Sequence, residues 1–119
     1  MHSAMQGLRT VIYPAPDLAS AKSWWTALLG QEPYFDQPFY VGYDVAGYEL
    51  GLLPTADQTD GALVYWGVDD VEAAIAEAMT QGATLHASAS DVGDGIITGS
   101  VRTPSGSILG LICNPHFVA

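Results

Sequence analysis

The sequence predicts an α+β fold made of two βαβββ modules, and three observations carry that prediction. Short runs rich in Val, Ile, Tyr, Phe and Leu alternate with turn residues, two longer stretches show helical spacing, and the same order of elements occurs twice. At 119 residues the chain fits one ordinary domain, with modules at about 7–54 and 62–114 and a linker at 55–61.

The first strand is expected over Leu8–Tyr13, where Val11, Ile12 and Tyr13 supply β propensity and Pro14 and Pro16 end the run. Asp17 is placed as a helix N-cap. Leu18, Ala21, Trp25, Leu28 and Leu29 then recur at helical spacing until Gly30, which predicts a helix over 18–29. Trp24 and Trp25 point about 100° apart on such a helix, so one packs and the other stands at a rim or a subunit contact. Three strands follow at 33–36, 39–45 and 48–53, separated by Gln37-Pro38 and Ala46-Gly47.

Residues 55–61, Thr-Ala-Asp-Gln-Thr-Asp-Gly, are polar and lack an apolar period, which marks a linker. The second module repeats the order. A strand at 62–68 leads to a helix opened by Asp69-Asp70, with Val71, Ala74, Ile75, Ala78 and Met79 as its apolar stripe and Gln81-Gly82 as its end. Strands at 84–90, 96–102 and 107–113 complete it.

Composition narrows the partners. Thirteen acids against Arg9, Lys22 and Arg102 give a net charge of -10, so a phosphate backbone or an anionic membrane meets a repulsive surface. With 49% hydrophobic residues the chain has material for a core, and a domain of this size that forms a cavity is expected to pair as a homodimer. A single cysteine, Cys113, excludes an intrachain disulfide, and the start Met1-His2-Ser3-Ala4-Met5 lacks the basic and apolar regions of a secretory signal. A cytoplasmic location is the expectation.

Four segments together resemble a known superfamily. They are Val11-Ile12-Tyr13-Pro14-Ala15-Pro16-Asp17-Leu18 with Trp24-Trp25 and Leu28-Leu29-Gly30; Gly47 to Leu52; Trp66 to Ala74; and Arg102 to Leu111. In order and spacing, from Gln6 to Pro115, the chain resembles the glyoxalase/bleomycin-resistance/dioxygenase superfamily, the vicinal oxygen chelate proteins. The resemblance implies a curved mixed sheet around a cleft, helices outside, and in metal-using members one divalent cation bound by the first and last strands of each module. The matching positions here are Thr10, Glu49, Leu63 and Gly110. Of these only Glu49 binds metal well, so no metal or other cofactor is expected. His2, His86 and His116 show no spacing that places two imidazoles on one ion.

Period-two alternation turns Glu49, Gly51 and Leu53 away from the helix and Leu50 and Leu52 toward it. A carboxylate in a cleft is expected to be desolvated and able to act as a general base or to bind a hydroxyl or amine; the bland reading has it hydrogen-bonded to a tyrosine or water. Aromatic residues concentrate in the strands of the first module, and Phe39 and Tyr65 are the expected lining for a planar organic ligand. Arg102 stands at a turn where it can meet an anionic ligand or a neighbouring acid. The expected site is thus Glu49 as catalytic candidate, with Thr10, Phe39, Leu63, Tyr65, Arg102 and Gly110 around the ligand. Metal-free binding of a small, planar or aromatic organic molecule is the first functional expectation. A glyoxalase-type lyase or isomerase with Glu49 as base comes second, and an extradiol dioxygenase, which needs two histidines and a carboxylate, comes last.

Overall fold

A computed structural model describes residues 5–117. By internal contacts these divide into two units, residues 10–63 and residues 5–9 with 64–117. Each is built as strand, helix, then three strands.

In the first unit, β1 (Leu8–Pro14, of which residues 10–14 belong here) is followed by α1 (Leu18–Leu29), β2 (Phe35–Gln37), β3 (Tyr40–Val45) and β4 (Tyr48–Leu53). Its strand order is β2-β3-β4-β1, with β4 parallel to β1 and the other pairs antiparallel. The helix has the predicted bounds because both ends are signalled locally. Asp17 accepts a hydrogen bond from the Ser20 amide at 3.1 Å, and Gly30 closes the last turn in the left-handed region at φ 68°. Leu18, Ala21, Trp25 and Leu29 pack on Ala15, Val41, Tyr43 and Leu52. Leu28 does not join them and is 62% exposed, since 18, 21, 25 and 29 already fill the stripe that faces the sheet. Trp25 packs and stacks on Tyr13 at 5.3 Å between centroids, while Trp24 stands outside, edge-on to Trp25. The buried Tyr43 phenol is satisfied by Thr26 Oγ1 at 2.8 Å and the Lys22 carbonyl at 3.1 Å.

The β2–β3 connection departs from expectation. Gln37 pairs with Tyr40, so Pro38-Phe39 is the two-residue turn and Phe39 lies outside the strand. Proline in the turn leaves no strand amide unpaired. The linker also has structure of its own: a 3₁₀ turn at Gln58–Asp60, capped by Asp57 and ended by Gly61.

The second unit contains β5 (Leu63–Gly67, of which residues 64–67 belong here), α2 (Val71–Thr80), β6 (Thr84–Asp91), β7 (Ile97–Arg102) and β8 (Ile108–Cys113) in the order β5-β8-β7-β6. Asp70 caps α2 by accepting from the Ala73 amide at 3.0 Å. Val71, Ala74 and Ile75 bury against Val101 and Leu111, and Gly99 makes room for them: a Cβ there would lie 2.8 Å from Ile75 Cδ1. Met79 is 45% exposed and leaves the stripe to Ala78. Residues 5–9 join this unit through Gln6 N to Gly67 O and Gly67 N to Gly7 O, both 2.8 Å. Arg9 lies with its guanidinium carbon 3.9 Å from the Phe117 ring centroid. No helix among the described residues is long and apolar enough to cross a membrane.

Candidate functional site

Strand register sorts the side chains of the first module into two faces. Val41, Tyr43, Leu50 and Leu52 form the core with α1, and Asp36 turns the same way to pair with Lys22. The opposite parity places Thr10, Ile12, Phe35, Tyr40, Gly42, Glu49 and Gly51 on the other face, because paired residues in neighbouring strands point to the same side and Thr10 is registered with Glu49, Gly42 with Gly51 and Phe35 with Gly42.

Glu49 is the centre of that face. Tyr34 Oη donates to Glu49 Oε1 at 2.5 Å, and Tyr40 Oη donates to Oε2. Two glycines make the arrangement possible. A Cβ at Gly51 would lie 2.0 Å from the Tyr40 hydroxyl, so the phenol crosses bare backbone to reach the carboxylate. A Cβ at Gly42 would meet Tyr40, Glu49 Oε2 and Tyr34 at 3.2–3.3 Å. The Tyr34 phenol is held above its ordinary range, first by partial burial, although the residue is 62% exposed, and next by its hydrogen bond to Glu49. It therefore stays a neutral donor at any physiological pH. Phe35 extends the surface, its ring 6.0 Å from that of Tyr40 and 5.9 Å from that of Phe39.

The other expected residues are distributed. Thr10 is buried beside Glu49 in the β1–β4 register. Phe39 is 63% exposed at the hairpin turn. Leu63 opens β5. Tyr65 and Gly110 are registered in the second module, where the Tyr65 ring covers Gly110: a Cβ at Gly110 would lie 2.6 Å from Tyr65 Cδ1. Burial raises the Tyr65 phenol above its ordinary value. Arg102 Nη1 donates to the Gly106 carbonyl at 2.8 Å within its own turn. His86 Nδ1 is 2.7 Å from Ser100 Oγ, His116 Nε2 is 3.0 Å from the Asp94 carbonyl, and His2 lies outside the described residues.

Comparison of the modules revises one position. Leu52 and Leu111 are the fully buried leucines of β4 and β8, each preceded by a glycine covered by a tyrosine. Counted from them, the place of Glu49 in the second module is taken by Ile108 and not by Gly110, which corresponds to Gly51. Of Thr10, Glu49, Leu63 and Ile108 only Glu49 has a side chain that binds metal well, and its carboxylate already holds two phenols. That donor set does not fit a divalent cation of the kind used by metal-dependent members. Among the described residues no three His, Cys, Asp or Glu side chains gather as a metal site.

Tyr34 and Tyr40 were not among the expected site residues. The signal for them was the aromatic concentration beside two strand glycines, Gly42 and Gly51, since a glycine within a strand marks a close approach by another group.

No family model and no curated protein sequence matches the chain. Solved structures do. A glyoxalase/bleomycin resistance protein/dioxygenase superfamily member from Vibrio splendidus 12B01 superposes with a TM-score of 0.64 at 20% identity, covering 89% of this chain and 97% of that one. A variant of Streptomyces coelicolor methylmalonyl-CoA epimerase, in complex with 2-nitronate-propionyl-CoA, gives 0.72 at 15% identity over 97% and 99%. Methylmalonyl-CoA epimerase from Mycobacterium tuberculosis gives 0.66 at 18% identity over 97% and 93%. The chain thus has the glyoxalase/bleomycin-resistance fold, the α+β fold of repeated βαβββ modules that its sequence predicts.

Proposed function

We propose that this protein binds a small organic molecule without a metal, on the face of the first module that carries Glu49. The observation that carries this reading is the Tyr34–Glu49–Tyr40 cluster laid over Gly42 and Gly51. It is a fixed polar anchor inside an aromatic surface, the arrangement a small-molecule site uses to orient an otherwise apolar ligand.

A glyoxalase-type lyase or isomerase with Glu49 as base is the competing reading, and the fold likeness to epimerases favours it. Against it, both carboxylate oxygens already accept a phenol proton, and each of those hydrogen bonds takes up part of the charge a base would direct at a substrate proton. The test is elemental analysis of purified protein with thermal-shift titrations against zinc, nickel, iron and manganese, followed by a panel of planar aromatic compounds, in the wild type and Glu49→Ala. Stabilisation by an aromatic compound, weakened in the variant, is the expected result. A stoichiometric metal whose stabilising effect vanishes in Glu49→Ala would overturn the metal-free reading and put base catalysis first.

A further inference from the structure

The wiring of the Glu49 cluster restricts what a ligand can present to it. Each phenol has one proton, and both protons are committed to Glu49. What the cluster can still offer outward is acceptor capacity, in the carboxylate directions the phenols leave unused, out of about four on an ionised carboxylate. A ligand group meeting this cluster has to be a donor.

Charge adds to the same preference. Between residues 10 and 63 the sequence contains seven carboxylates and, as its only Lys, Arg or His, Lys22. Lys22 is tied to Asp36 on the α1 side of the sheet, so the Glu49 charge is not neutralised from there. Across the β3–β4 register the residue facing Glu49 is Asp44, whose Oδ1 accepts from the Gly47 amide, and like charges opposed across strands favour an intervening cation. The rings of Tyr34, Tyr40 and Phe35 supply the third element, since aromatic faces attract ammonium groups.

Building on the small-molecule reading above, we propose that this face selects an organic ammonium ion, with the cationic nitrogen at Glu49 and the apolar part of the ligand on the rings of Tyr40 and Phe35. Open acceptor directions, a carboxylate with no Lys, Arg or His of its own module beside it and aromatic walls each favour a protonated amine over a neutral alcohol, and disfavour a carboxylate.

Three probes of one shape test it: benzylammonium, benzyl alcohol and benzoate, titrated into ¹⁵N-labelled protein while the Gly42 and Gly51 amides are followed. Benzylammonium is expected to shift both amides and to bind about tenfold more tightly than benzyl alcohol, with an affinity that falls as salt is added while that of the alcohol does not. Glu49→Gln, which keeps the shape of the side chain, is expected to remove the preference. The wild-type comparison of charge and salt stands even if that variant fails to fold. Equal binding of the alcohol, or tighter binding of benzoate, would overturn ammonium selection and leave small-molecule binding in place. Silence of both amides toward all three probes at millimolar concentration would overturn both.

Discussion

The two modules share a backbone plan and differ in what they place on it. In each, a glycine precedes the fully buried leucine of the last strand, Gly51 before Leu52 and Gly110 before Leu111, and a tyrosine ring covers that glycine. In the first module the covering residue is Tyr40 of β3, and its hydroxyl reaches Glu49. In the second it is Tyr65 of β5, and the place of Glu49 holds Ile108. Beside the glycine, Gly42 in one module is answered by Ser100 in the other, which contacts His86. The repeat therefore conserves a niche for a ring, while a charged anchor exists on one side only. Fold likeness reports the niche; the chemistry depends on single residues within it.

Filling the niche from below should separate the modules most sharply. Gly110→Ala would set a Cβ 2.8 Å from the Val64 carbonyl as well as 2.6 Å from the Tyr65 ring, and backbone cannot swing aside. A loss of about 1–3 kcal/mol in urea unfolding is expected. At Gly51 the three atoms nearest the Cβ all belong to Tyr40, at its hydroxyl end, and that side chain can rotate away. Gly51→Ala should change stability by less than about 1 kcal/mol yet break the Tyr40–Glu49 hydrogen bond, seen as a loss of aromatic ligand binding. Equal stability losses in the two variants would mean that the niches are equivalent after all.

The alkaline titration sharpens the same contrast. Burial and Glu49 raise the Tyr34 phenol, so its neutral form is favoured in the folded chain. The stability this contributes is fully present below the unfolded value near 10 and is lost as pH rises through the folded one. Glu49→Gln removes the second cause but not burial, and the Tyr34 titration should move part of the way down toward the ordinary value. Tyr65 is raised by burial alone, so its titration should not respond to that variant. Tyrosinate absorbance, assigned with Tyr34→Phe and Tyr65→Phe, reads both.

The smallest effect concerns the hairpins. Ala46 before Gly47 and Asp94 before Gly95 both occupy the left-handed region, at φ 54° and 58°. Aspartate and asparagine adopt that conformation at less cost than alanine does. Ala46→Asn is therefore expected to stabilise the protein by roughly 0.5–1 kcal/mol, measured as an upward shift of the unfolding midpoint.

Much of this was legible in the sequence where the signal is local. Asp17, Gly30 and Asp70 mark helix ends because a cap needs a particular side chain at a particular step. Glu49 falls opposite the helix because alternation has a period of two. The β2–β3 turn differs from the sequence expectation by one residue: the spacing predicts Phe39 in the strand as a lining residue, whereas Pro38-Phe39 forms the turn and Tyr40 is the first strand residue facing the carboxylate. Tyr34 lies 15 residues from Glu49 and joins it through two successive hairpins, a relation that no spacing rule expresses.

The sequence by itself determined the two modules, their element order, the capped helices and the side of the sheet to which Glu49 belongs. These follow from turn chemistry and hydrophobic period, which act over a few residues. Tertiary structure alone decided that Tyr34 and Tyr40 close on Glu49, that Arg102 turns to its own loop, and that Ile108 occupies the matching place in the second module. Those outcomes depend on strand register and on the space left by Gly42, Gly51 and Gly110, and register is set only when strands distant in sequence pair.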